Sequence, residues 1–83
     1  MRVQAEVSLY PLRTERIGKP IERFLETVRE HEIRLSVGAM STWLEGEQEE
    51  VFAALRGAFS AVGEEYEIVL VIKLSNACPN GAE

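Results

Sequence analysis

The chain has 83 residues, 46% of them hydrophobic and 28% charged, with a formal net charge of -5 at pH 7. One domain of this size buries only about 60 to 65% of the surface its unfolded form exposes, so its own core is thin. The nine Lys and Arg form no stripe that could follow phosphates, and no apolar run approaches the ~20 residues of a membrane span, so neither nucleic acid nor membrane is an expected partner.

Residues 3 to 10 alternate with period two, Ala5, Val7 and Leu9 against Glu6, Ser8 and Tyr10, and Pro11 is expected to stop this first strand by removing a ladder donor. From Pro20 the period changes. Ile21, Phe24, Leu25 and Val28 fall on one helical face, which predicts a helix running to about His31. Ile33, Leu35 and Val37 alternate again, and Gly38 permits a reversal into MSTWLEG (40 to 46), predicting a hairpin of strands two and three. The acidic EQEE after Gly46 suits a helix N-terminus, and Val51, Phe52, Leu55, Phe59 and Val62 predict the buried stripe of a second helix ending near Gly63. Ile68 to Ile72 are five consecutive apolar residues, mostly β-branched, and predict a fourth strand within 66 to 76. The remainder, 77 to 83, holds Pro and Gly without periodicity and reads as a mobile tail.

The order β-α-β-β-α-β leads to an α+β ferredoxin-like sandwich over residues 1 to 76, with antiparallel sheet order 4-1-3-2 and both helices on one face. In that topology Ser8 and Tyr10 are expected near Met40, Ser41 and Thr42 at one end of the helix-free face. Gln4, Glu45 and Asn76 gather at the other. Strand four is an edge strand with apolar residues on both sides. Val69 and Val71 then join the open face, which points to self-association.

Chemistry for catalysis is sparse. His31 is the only histidine and sits at a predicted helix end, while Cys78 has no spaced partner for a metal or an internal disulfide. The serines and Thr42 lack a base, and no phosphate-binding glycine pattern occurs. Arg13 with Asn76 imitates an acyl-phosphate site only by analogy of fold. Trp43 is expected to pack in the core or an interface, with stacking on a ring ligand as the alternative. The N-terminal MRVQAEV carries no apolar segment with a cleavage site, so a cytoplasmic location is expected.

Four segments point further: VSLYPL (7 to 12), MSTWLEG (40 to 46), the helix opening EEVF and the final VIKLSN. In order and spacing the chain resembles the small thiamine-binding, YkoF-like family, with Arg13 where that family usually has glycine. The resemblance implies a non-catalytic protein that binds thiamine or its hydroxymethylpyrimidine part, without a resident cofactor. It also implies a homodimer or homotetramer with the pocket on the open sheet face at a subunit interface. Ser8, Tyr10, Met40, Ser41, Thr42, Trp43 and Glu45 are the expected ligand-binding residues. A carrier or sensor is the first functional reading, and a homo-oligomerisation module with no small ligand is the alternative.

Overall fold

The structure, a computed structural model, describes residues 1–77, so the tail read as mobile lies outside the described residues apart from Ala77. The elements are β1 (Arg2–Leu12), α1 (Gly18–Val28), β2 (Arg34–Val37), β3 (Thr42–Glu47), α2 (Gln48–Gly63) and β4 (Glu67–Ser75). They form one antiparallel sheet in the order β2-β3-β1-β4, the expected ferredoxin-like arrangement.

Alternation along β1 decides the two faces. Val3, Ala5 and Val7 are buried and meet Phe24 and Val28 of α1, Leu44 of β3, and Val51, Ala54, Leu55, Ala58 and Val62 of α2. Residues opposite one another in antiparallel strands share a face. Gln4, Glu6, Ser8 and Tyr10 therefore lie on the other side, with Trp43 and Glu45 of β3, Ser36 of β2, and Val69, Val71 and Lys73 of β4. Trp43 thus stands on the open face and 46% exposed, outside the helix-side core.

Several boundaries differ from expectation. β1 runs through Pro11, which pairs with Ile68 of β4, whereas β3 pairs with β1 only as far as Val7. Proline is tolerated there because its donorless nitrogen has no strand to serve on the vacant side. The first helix starts at Gly18, leaving Pro20 in the first turn, and ends at Val28. His31 follows in a turn, its backbone N donating to Val28 O at 3.1 Å and its Nδ1 3.6 Å from Glu50 Oε1 on α2. Residues 38 to 41 form the reversal, closed by Gly38 N donating to Ser41 O at 2.9 Å, so Met40 belongs to a turn and not to β3.

On α2, Val51, Leu55 and Val62 are buried as expected, but the stripe turns away from its two rings. Ala54 and Ala58 are buried, while Phe52 and Phe59 remain 49% and 46% exposed. Small side chains let the helix approach the sheet closely, and the two rings are displaced to its flank beside β4.

Candidate functional site

Because β3 leaves β1 after Val7, the side of Ser8–Leu12 that faces away from β4 has no strand partner. The sheet is notched there. The reversal at 38 to 41 closes the notch on one side and α1 forms its floor, leaving a cleft of about 240 Å³. Its lining includes Ser8, Tyr10, Met40, Ser41 and Thr42, five of the seven expected site residues, together with Phe24 from α1.

The five do not share a sheet face, however. Ser8 and Tyr10 project from the open side, whereas Thr42 stands opposite Val7 and Val37 on the helix side. They meet because the notch passes around the end of β3. Alternation along a strand fixes the face of each residue, but it cannot show where a neighbouring strand stops.

The chemistry of the cleft is mixed. Ser41 Oγ donates to Glu6 Oε2 at 2.8 Å, in a partly buried bond, and Lys73 Nζ stands 3.8 Å from Glu6 Oε1. Neither the Ser8 nor the Thr42 hydroxyl makes a hydrogen bond within the protein among the described residues. Phe24 and Leu25 supply apolar wall, and Met40, 90% exposed, stands at the rim. The notch also exposes main-chain donors and acceptors of β1, since alternate residues of a strand direct both groups to the same side.

Trp43 and Glu45, the other two expected site residues, line a separate cavity of about 210 Å³ with Gln4, Arg34 and Ser36. It is an ionic end. Arg2 Nε lies 3.5 Å and Arg34 Nη1 3.8 Å from the Glu45 carboxylate, and Gln4 Nε2 donates to Ala77 O at 3.3 Å.

The acyl-phosphate analogy fails on geometry. Arg13 pairs with Glu67 at one end of β4, whereas Asn76 follows the other end and contacts Met1. The described residues contain no group of three or more His, Cys, Asp or Glu able to hold a metal, and no helix long and apolar enough to cross a membrane.

Residues 5–77 match the family model described as thiamine-binding protein. The chain belongs to that family. Among relatives of the thiamine-binding family member, UPF0045 protein MJ1052 of Methanocaldococcus jannaschii is 32% identical over 62 residues, 74% of this chain and 62% of that protein. The match thus spans a little under two thirds of that relative's length. The crystal structure of MJ1052 superposes with a TM-score of 0.84 at 28% identity, over 94% of this chain and 82% of that one. That of TM0486 from Thermotoga maritima, a thiamine biosynthesis/salvage candidate, gives 0.81 at 21% identity, over 90% and 83% of the two chains. SP2199 of Streptococcus pneumoniae gives 0.86 at 23%, over 96% and 91%. At such identities the last two speak for the fold.

The structure adds Phe24 and Leu25, which sequence reasoning left out, to the cleft of this thiamine-binding family member. Glu6 does not line the cleft and reaches its edge through Ser41, and its polarity in mid-strand beside Ser8 and Tyr10 marks it in the sequence. Phe24 carried no such signal. Its place on a helical stripe marks it only as apolar, and its second role as cleft wall arises from where β3 ends.

Proposed function

We propose that this protein binds thiamine or its hydroxymethylpyrimidine part, without transforming it, in the cleft between β1 and the 38–41 turn. The observation that carries this reading is the notch, seen together with the family match over residues 5–77. An aminopyrimidine requires donors and acceptors in its ring plane and apolar surface above and below. The unpaired side of β1 and the hydroxyls of Ser8 and Thr42 supply the first. Phe24, Leu25 and Met40 supply the second.

Binding rather than catalysis is favoured by what lines the cleft: no histidine stands beside its hydroxyls to activate them. The charge of thiamine is matched by Glu6, which Ser41 holds at the edge of the cleft. Trp43, Val69 and Val71 are each almost half exposed on the open face, and a second copy laid over them would close the cleft at a subunit interface. A carrier or sensor working in the cytoplasm fits such a protein.

Titration calorimetry with hydroxymethylpyrimidine, thiamine and thiamine phosphates tests the proposal. Saturable binding of the first two is expected. If no pyrimidine titrates and none raises the melting temperature, the ligand reading fails, and the exposed apolar face then favours an oligomerisation module.

A further inference from the structure

An apolar groove of about 380 Å³ lies between α2 and β4, and it shares no lining residue with the cleft. Leu55 and Leu70 form its floor, and half-exposed Phe52, Phe59, Ile72 and Leu74 form its walls. Its volume falls within the ~300 to 1,000 Å³ of ordinary small-molecule sites. Phe52 and Phe59 stand about 10 Å apart along the helix, and Leu70 and Leu74 about 13 Å apart along the strand, so the groove is a trough of medium alkyl-chain length.

The polar side chains of the lining are Arg56 and Ser60, one helical turn apart on α2 and both exposed at the rim. Among the described residues Arg56 makes no ion pair and the Ser60 hydroxyl no hydrogen bond. The trough thus offers a long apolar surface with one unpaired cation and one free hydroxyl beside it. We propose that it binds a free medium-chain fatty acid, the carboxylate held by Arg56 and Ser60 and the alkyl chain lying along Ile72 and Leu74 between the two rings. The charges select the head group. A planar guanidinium presents paired donors that match a carboxylate, and the hydroxyl can donate to the same group. A cationic head would be repelled, and a neutral one would leave Arg56 without a counter-charge.

A dissolved amphiphile suits this groove better than a bilayer does. The net charge of -5 repels an anionic membrane surface many times over, whereas a single carboxylate meets that field once and is drawn locally to Arg56. The groove is also recessed, with Leu55 buried at its floor, so a single chain can enter where a flat surface would touch only the rings.

Titration calorimetry on the full chain with sodium hexanoate, octanoate, decanoate and dodecanoate, each below its micelle concentration, tests the proposal. Affinity is expected to rise by up to about fourfold per methylene as the chain fills the groove, and to level off by dodecanoate, which outruns it. Arg56→Gln, at an exposed position, should weaken decanoate about tenfold and leave decanol unchanged. Ile72→Glu sets a carboxylate among the apolar walls and should weaken both ligands more than tenfold. Circular dichroism verifies that each variant is folded, and should Ile72→Glu fail to fold, Phe59→Ala takes its place with a loss of several-fold for both ligands. Decanoate affinity should be the same with and without hydroxymethylpyrimidine, because the two sites share no residue. The proposal is overturned if decanoate does not saturate, if affinity climbs without levelling off, if Arg56→Gln binds decanoate as wild type does, or if hydroxymethylpyrimidine displaces it. It is equally overturned if the protein binds phosphatidylcholine vesicles but not decanoate, or if sedimentation shows an association that decanoate neither enters nor alters, since a bilayer or a second copy would then be the occupant.

Discussion

Ser8→Ala and Thr42→Val probe the cleft most directly, because their hydroxyls make no hydrogen bond among the described residues and so are available to a ligand. Removing one partner of a buried hydrogen bond costs about 1 to 2 kcal/mol, which corresponds to roughly 5- to 30-fold in affinity. The fold itself should be indifferent, since Thr42→Val exchanges a hydroxyl for a methyl beside Val7 and Val37. A melting assay resolves the difference. At a ligand concentration 100 times the wild-type Kd, binding stabilises the folded state by about 2.7 kcal/mol, and a tenfold weaker variant retains about 1.4. For a domain of this size 1 kcal/mol moves the melting temperature by roughly 4 to 8 °C. A wild-type shift of roughly 11 to 22 °C should therefore fall by about half in each variant. Were hydroxymethylpyrimidine to stabilise wild type and both variants equally, the cleft would not be its site. The cavity beside Trp43 and Glu45 would then be the place to look.

Thiamine is cationic and its pyrimidine alcohol essentially neutral, so raising the salt should weaken thiamine binding alone, and Glu6→Gln should abolish that difference in calorimetry. Leu44→Ala removes one of the largest fully buried side chains, and urea denaturation should show a loss of about 2 to 5 kcal/mol. Arg13 holds φ at 54°, a left-handed conformation that costs a non-glycine residue about 1 to 2 kcal/mol, while its ion pair with Glu67 is exposed and worth about 0 to 1. Arg13→Gly should accordingly leave stability within about 1 kcal/mol of wild type; a loss above about 2 would show that the side chain does more.

Most of the architecture was legible because period two and period 3.6 report the environment of each segment directly. Val3, Ala5 and Val7 face the helices as their alternation requires, and the opposition of Gln4 to both Glu45 and Ser75 follows from the sheet order. What the pattern could not supply were the ends of pairing. Nothing in MSTWLEG says that Met40 and Ser41 belong to a turn, yet that turn creates the notch and brings Thr42 around to Ser8. The stripe on α2 held at Val51, Leu55 and Val62, which are buried, and missed at its two rings for a related reason. Hydrophobicity alone ranks Phe52 and Phe59 above Ala54 and Ala58, but close packing of helix on sheet selects by volume, and the alanines fit.

The strand β1 separates two surfaces, with the notch on its β3 side and β4 on the other, and this separation has a consequence for binding. A change at the Glu67 end of β4 leaves the cleft lining untouched, because that lining reaches Tyr10 while Glu67 stands opposite Leu12. Lys73 is the poorer probe, since it contacts Glu6 and so reaches the cleft through Ser41. Glu67→Lys is therefore expected to leave hydroxymethylpyrimidine affinity within about threefold of wild type. A copy lying on the open face would behave otherwise, because it closes the cleft, and affinity should then fall when the protein is diluted below the concentration at which that contact dissociates. Fluorescence of Trp43, on the open face, can follow that dilution alongside the ligand titration. An affinity lowered more than tenfold by Glu67→Lys at fixed concentration would show that edge and cleft are one functional unit, and the division along β1 would be wrong.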